Sequence, residues 1–414
     1  MTANWKSKPL AEVCQFINRG ISPVYLAAGG VAVLNQKCVR DHAVNFDLGR
    51  RHDDAAKKVT PERFVRAGDV LVNSTGTGTL GRVAQLRDNP PEPTTVDSHV
   101  TIVRPTPGLF HPEFFGYALV AIEEQIQAGG EGCGGQTELS RTKLAESYRV
   151  SFPEAQNEQR RIVAILDEAF EGIATAKANA EKNLQNARAV FEGYLQEVFT
   201  ERGLTWVDSK VGDCIRFIDY RGKTPEKTSD GLRLITAKNV KMGFLQRTPE
   251  EFVAPDSYDG WMTRGIPNLG DVLFTTEAPL ANVAQLDTSE KVVFAQRIII
   301  MQPDLAKLNS TFLKYLLLSS PIQQRIRKKG TGATVQGIKA SLLKGIEISF
   351  PSSLSEQSQI VEKFDAISAE TNRLEAIQRR KLAALEELKK SLLHRAFTGQ
   401  LTAKSTDQQL AAAA

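Results

Sequence analysis

The sequence predicts an α+β protein in which two similar mixed α/β domains alternate with two long helices. Three observations carry that reading. The chain is written twice, with a period of about 200 residues. The first part of each copy alternates short apolar runs with turn residues, as small sheets do. The second part of each copy steps through apolar residues at alternating spacings of about four and three, the seam of a coiled coil.

Length and composition agree with this. The chain has 414 residues, enough for about two or three domains. Hydrophobic residues make up 41% and charged residues 24%, which excludes a largely disordered chain, a collagen-like fibre or a disulfide-stapled mini-protein. The 52 Lys and Arg exceed the 48 Asp and Glu by a net charge of +4, an excess that neither demands nucleic acid nor excludes it. Cys14, Cys38, Cys133 and Cys214 form no CxxC, so a zinc ribbon or thioredoxin-like site is not expected. The N-terminus lacks the apolar stretch of a secretory signal. The most apolar segment, Phe312 to Leu318, is interrupted by Lys314. A reduced, cytoplasmic protein without a membrane span is expected, its residues 402–414 a disordered tail.

The duplication is read residue by residue. Trp5, Cys14, Phe16, Arg19-Gly20 and Ser22-Pro23 return as Trp206, Cys214, Phe217, Arg221-Gly222 and Thr224-Pro225. Gly68-Asp69-Val70-Leu71 returns as Gly270-Asp271-Val272-Leu273, and Val83 to Leu86 returns unchanged as Val283 to Leu286. Ser151-Phe152-Pro153, Glu158-Gln159 and Ile162-Val163 return as Ser349-Phe350-Pro351, Glu356-Gln357 and Ile360-Val361. These repeats set the boundaries: a domain over 1–150, a helical segment over 151–203, a second domain over 204–348 and a second helical segment over 349–401.

Within the domains, 70–72, 100–103, 272–274 and 297–301 read as strands, and 113–127 and 310–328 as helices. A glycine-rich loop comes next at 129–135, answered by Gly330-Thr331-Gly332. Pro90, Pro91 and Pro93 mark a surface loop of the first copy alone. In the first helical segment the seam runs through Ile162, Leu166, Ala169, Ile173, Ala176 and Ala180. After a four-residue slip, a stutter in which a second step of four follows where three is due, it resumes at Leu184, Ala187, Phe191, Tyr194 and Val198. In the second it runs through Ile360, Phe364, Ile367 and Leu374 and closes with Leu385, Leu388 and Leu392; Ile377 and Leu382 fall off the strict frame. Ser353 and Glu356 have capping-box spacing, and Gly203 and Gly399 stand where helices should end. About 40 residues of helix make a rod of roughly 60 Å. Neither rod has a core of its own, and the other copy's rod is the nearest partner. The plainer alternative is a pair of ordinary core helices in one large domain.

Motifs that resemble catalytic ones fail on context. Gly76 to Gly81 matches G-x-G-x-x-G, but residues 82–91 read as a strand and a turn rather than the helix a dinucleotide needs, and the second copy has no glycine there. Asn89-Pro90-Pro91-Glu92 resembles the Asn-Pro-Pro-aromatic motif of amino-methyltransferases without its aromatic. Gly222-Lys223-Thr224 imitates the end of a P-loop, yet Phe217 occupies the place of the first glycine. His42, His52, His99, His111 and His394 form no metal-ligand spacing. Without a nucleophile, base and orienter, no catalytic site is expected. Cys14 and Cys214 read as buried structural thiols.

Basic and amide side chains near turns are the remaining candidates. Arg can fork onto guanine, Gln onto adenine, and Lys can neutralise phosphate. In the first domain these are Arg19, Lys37, Arg82, Gln136 and Arg141. In the second they are Arg221, Lys223, Lys238, Arg327, Lys328, Gln336 and Lys339. Each by itself reads first as a solvated surface charge; matched placement, as of Arg19 with Arg221 and Lys37 with Lys238, raises the group rather than its members.

With the two Phe-Pro…Glu-Gln…Ile-Val series and the closing Ala396-Phe397-Thr398-Gly399-Gln400-Leu401, the chain resembles the specificity subunit of type I restriction-modification enzymes over nearly its whole length. Its first Phe-Pro…Glu-Gln series, with 154–157 intervening, is looser than the family's usual one. The resemblance implies that each domain is a target-recognition domain reading half of a split sequence in double-stranded DNA. It further implies that the two helices pair antiparallel as a spacer and dock two modification (methyltransferase) subunits, joined by restriction/translocase subunits. This chain would then bind no cofactor; S-adenosylmethionine would belong to the modification subunits, ATP and Mg to the restriction subunits. The rival from the residues alone is a coiled-coil scaffold or adaptor whose repeated heads bind proteins.

Overall fold

The computed structural model describes residues 5–132, 137–220, 225–332 and 336–402. The chain divides into two compact units, Met1–Asn179 with Lys381–Ala414, and Ala180–Arg380. The division falls inside the two long helices rather than at their ends, because each half-helix buries its seam in the unit to which it belongs.

The first unit is built on a four-stranded antiparallel sheet in the order Cys14–Arg19, Val100–Pro105, Val70–Asn73, Val83–Gln85. Successive side chains of a strand point to opposite faces, and here both faces are covered. Val70, Val72 and Val103 enter a core with Phe114, Phe115, Phe152, Ile162 and Leu166, whereas Leu71, Val100 and Ile102 enter another with Leu34, Val39 and Val96. A strand covered on both sides reads as an unbroken apolar run, which is why 70–72 and 100–103 were legible. A second sheet, in the order Thr94–Val96, Val31–Leu34, Arg50–His52, Tyr25–Leu26, supplies the second core. Trp5–Pro9 pairs with Arg149–Pro153, so the start of the copy is bound to the strand that leads into its long helix.

The second unit repeats the plan. Its sheet runs Ile215–Asp219, Ile298–Pro303, Val272–Thr275, Val283–Gln285. Val272, Phe274, Ile299 and Met301 face the core containing Phe312 and Phe364; Leu273, Ile298 and Ile300 face the core containing Leu234 and Phe294. Trp206 pairs with Pro351 as Trp5 pairs with Pro153. The helices expected over 113–127 and 310–328 are each two: Pro112–Ala121 with Glu123–Ala128, and Ser310–Leu318 with Ser320–Lys329. The second pair breaks at an extended Ser319 because Pro321 has no N–H to offer the preceding turn; the proline sits instead in the first turn of the new helix.

The long helices span Gln156–Thr200 and Leu354–Phe397, 45 and 44 residues. In the first, every seam residue from Ile162 to Val198 is buried or half-buried, on both sides of the stutter. In the second, Ile360, Phe364, Ile367, Leu374, Leu385 and Leu392 lie on the inner side, but Leu388 is 47% exposed and is corrected out of the seam. The inner positions run Thr371, Leu374, Gln378, Leu382, Leu385, Lys389, Leu392, so polar residues occupy three of them and hid the frame. Ile377 is exposed. Within the first unit Lys177 Nζ lies 2.8 Å from Glu386, and Phe170 lies beneath Lys389. Within the second, Arg188 Nε lies 2.8 Å from Glu375, and Tyr194 and Phe199 pack on Phe364. In each unit, then, the two half-helices run in opposite directions. Gly399, at φ +75°, caps the second helix, with Gln400 and Leu401 donating to the Arg395 carbonyl.

Candidate nucleic-acid interface

At one end of the first unit's sheet, the strand Val70–Asn73 runs into Ser74 and Thr75 before the glycine turn. Ser74 N–H donates to the His99 carbonyl at 2.8 Å, and Leu139 N–H donates to the Ser74 carbonyl at 2.8 Å. This stitches the glycine-rich loop to the sheet end. Glu131 and Glu138 exchange backbone bonds across the loop's neck, and Thr75 bridges to Glu138. The Gly76–Gly81 segment is a turn between antiparallel strands, as its context indicated; Gly81 has φ +79° and a Cβ there would meet the Gln127 backbone at 2.7 Å.

The candidates of this unit gather here. Arg19 donates to the Leu139 carbonyl at 2.8 Å and pairs with Glu138 at 2.5 Å, so it braces the loop. Arg82 donates to the Gly78 carbonyl at 2.8 Å and braces the turn. Arg141 is exposed at the start of the helix Arg141–Ser147 and reaches Asn18 at 3.3 Å. Lys37 is exposed beside Gln36, whose amide lies against Gly76. Gln136 lies outside the described residues. One residue that the sequence reading passed over belongs to the group: His99 is exposed, and its Nδ1 lies 2.6 Å from the Thr75 hydroxyl.

The second unit carries the same stitching. Thr276 N–H donates to the Arg297 carbonyl at 2.8 Å, and Ile338 N–H donates to the Thr276 carbonyl at 3.0 Å. Thr331 and Gly337 exchange backbone bonds, and Glu277 bridges to Gly337. A cleft of about 280 Å³ opens between these segments, lined by Glu277, Arg297, Thr331 and Lys339 among others. Lys339 is exposed at the head of the helix Ala340–Lys344; Arg327 and Lys328 are exposed in the last turn before Gly330; Gln336 is exposed in the loop. Lys238 is exposed two residues before Val240, whose carbonyl accepts from Asn282 in the neighbouring turn. Arg221 and Lys223 lie outside the described residues. Sequence reading missed Glu277 and Arg297, whose Oε1 and Nε stand 2.8 Å apart.

The repeated motifs themselves do other work. Gln159 and Gln357 are fully buried. Each accepts a backbone N–H, of His111 or Asn309, at 2.7 Å, and donates to the carbonyl of Pro153 or Pro351. The Glu-Gln series thus staples the start of each long helix to the loop beneath it. Asp69 and Asp271 accept the N–H of Arg66 and Asn268 and so close the turn before each central strand. Asp69 also makes a two-pronged ion pair with Arg104 at 2.7 Å, where Asp271 meets Gln302 instead. Burial raises the Asp271 carboxyl above the usual carboxylate range. It pushes the Cys14 thiol up to about 12 and raises Cys214 too, leaving both as packing groups rather than nucleophiles. Asn89 of the Asn-Pro-Pro segment accepts the Ala67 N–H, a loop contact. Among the described residues, no group of three or more His, Cys, Asp or Glu is placed to hold a metal, and no helix is long and apolar enough to cross a membrane.

Residues 263–385 match the family model of the type I restriction modification DNA specificity domain. Over those residues the chain resembles the type I restriction-modification specificity family. The chain is 22% identical over 284 residues to the type I restriction enzyme MjaVIII specificity subunit of Methanocaldococcus jannaschii. The match covers 64% of this chain and 64% of that relative, so it spans somewhat less than two thirds of the relative's length. In fold, the chain is similar to one from a solved structure concerned with complex assembly and conformational transition of the type I R-M system. That likeness has a TM-score of 0.74 and 18% identity and covers 96% of this chain and 98% of that one. It is also similar to the HsdS subunit from Thermoanaerobacter tengcongensis, with a TM-score of 0.54 and 20% identity, covering 96% and 97%.

Proposed function

We propose that this chain is the DNA sequence-specificity subunit of a type I restriction-modification complex and that it recognises a bipartite, asymmetric target in double-stranded DNA. Residues 1–150 and 204–348 are its two target-recognition domains. The observation that carries the reading is a framework built twice, with the same backbone stitching at each sheet end and different polar side chains displayed on it. Two similar heads with different surfaces suit a target of two different halves. Lys37, Arg141, Lys238, Arg327, Lys328 and Lys339 supply positive charge for phosphates, which makes binding fall steeply with salt. Base edges in the major groove are then within reach of donors carried on the loops.

The segments 151–203 and 349–401 act as spacer and as the docking surface for two modification subunits, with restriction/translocase subunits joining them. This chain is non-catalytic. S-adenosylmethionine serves the modification subunits, and ATP and Mg serve the restriction subunits. What this chain's residues do is bind and orient DNA.

The test is a domain exchange. With residues 1–150 replaced by the corresponding domain of a relative, the chain is assayed together with its modification subunits for methylated positions on genomic DNA. One half of the target changes and the other stays. A change in both halves would show that the heads are not separate readers, and protein capture without any DNA preference would favour a scaffold.

A further inference from the structure

The two sheet ends are superposable in their backbone bonds but not in the pair of side chains they display. In the first unit the pair is Thr75 and His99; at the equivalent positions of the second it is Glu277 and Arg297. The segments around them keep their roles. Ser74 and Thr276 are buried, and each donates its N–H to the carbonyl of the displayed residue at 2.8 Å. Leu139 and Ile338 are buried and tie the loop to the same strand end. A framework kept while the exposed pair changes is what a reader of two different half-sites requires.

Resting on the DNA-reading function above, we infer that Arg297 is a base-reading residue of the second domain, that Glu277 is its positioning residue, and that Thr75 and His99 do the corresponding work in the first domain. The chemistry differs between the heads. Glu277 takes Arg297 at Nε, on the stem side of the guanidinium, which orients the Nη1 and Nη2 end as a fork. A fork of two donors matches the O6 and N7 acceptors of guanine. Both residues of the pair are nearly half exposed, at 46% and 43%, so the fork is accessible from solvent. In the first head the Thr75 hydroxyl engages Nδ1 of His99, which leaves Nε2 for a single bond to a base edge.

The backbone supports the assignment independently. Arg297 sits at φ +80°, a left-handed conformation that a residue with a Cβ adopts at a cost. In the first head the turn is closed by Asp97, whose Oδ1 accepts the His99 N–H at 2.9 Å, and His99 has no such strain. The second head has Ala295 at the equivalent place and no side chain to close the turn. Glycine would suit position 297 better than arginine if only folding mattered. Strain retained at an exposed, cleft-lining arginine points to a function.

The same strain supplies the test. Arg297→Gly removes the side chain while favouring the backbone, so the variant folds at least as well as the parent. The full chain, in complex with its modification subunits, is presented with a library of duplexes randomised across both half-sites, and the bound fraction is sequenced. Arg297→Gly loses about tenfold to a hundredfold of preference at one guanine of the second half-site and leaves the first half-site unchanged. Arg297→Lys keeps the charge but not the fork and does not restore that guanine. Glu277→Gln weakens preference at the same position only. If Arg297→Gly selects the parental sequence, or if Arg297→Lys restores it in full, the residue is at most a phosphate contact and the inference is overturned. A parent complex that selects no sequence at all would overturn the DNA-reading function beneath it, a distinct result.

Discussion

Gln357 is the residue on which the second unit's helix start depends. Its amide accepts the Asn309 N–H at 2.7 Å and donates to the carbonyls of Lys307 and Pro351, each at 2.8 Å, with no solvent access. Gln357→Leu keeps the volume and strands those three backbone groups in a dry site. An unpaired buried polar group costs about 1–3 kcal/mol, so a loss of at least about 2 kcal/mol is expected in chemical denaturation of the second unit. Glu356, its neighbour in the same motif, is half-buried and accepts from the exposed Thr205 hydroxyl. Glu356→Gln should change stability by less than about 1 kcal/mol, as for a polar pair at the surface.

At the level of the helices, apolar seams hold the elements and ion pairs trim them. Phe364 is fully buried against Tyr194, Phe199 and Tyr315, and Phe364→Ala is expected to cost about 3–5 kcal/mol. Leu388→Ala, at an exposed position, should cost within about 0.5 kcal/mol. Arg188 and Arg379 both reach Glu375, and the Arg188 bond holds its carboxyl below the usual carboxylate range. A lowered folded-state value means stability that is present at neutral pH and lost as pH falls through and below the ordinary glutamate value. Arg188→Ala is therefore expected to lower stability at pH 7 by no more than about 1 kcal/mol and to flatten the acid limb of the melting-temperature profile. Parallel acid limbs in parent and variant would show that the pair contributes nothing. The seam of the first helix was legible because its positions from Ile162 to Val198 are all apolar. That of the second was partly hidden because Thr371, Gln378 and Lys389 occupy inner positions.

For the molecule as a whole, the proposed spacer can be lengthened in register. The ion pairs Lys177–Glu386 and Arg188–Glu375 fix the pairing on either side of the division between units, so an insertion must enter both helices. Four residues added between Asn179 and Ala180, and four between Arg380 and Lys381, extend each helix by about 6 Å. At about 3.4 Å per base pair, the preferred spacer in the DNA target should grow by about one to two base pairs with both half-sites unchanged. Methylation mapped on a library of randomised spacers, with the modification subunits present, reads this directly. An unchanged spacer at full activity would remove the helices from the role of ruler.

The duplication, the alternation of mixed domains with long helices, the resemblance to the specificity family and the burial of Cys214 were readable along the chain, whereas Cys14, expected to be buried as well, is only half-buried. Those properties are carried by periodicity and by local chemistry, which need no knowledge of what lies across the fold. The structural roles of the Glu-Gln and Gly-Asp motifs emerged only in three dimensions, since their meaning lies in bonds to backbone groups about 50 residues away or across a turn. Which charged residues share a sheet end was settled there too. Arg19 meets Leu139 across 120 positions of chain, and Glu277 meets Arg297 only because two antiparallel strands return to the same edge. A polar side chain at a loop carries no periodic signal, and its partner is chosen by topology, so the candidate interface takes form only when the sheet is assembled.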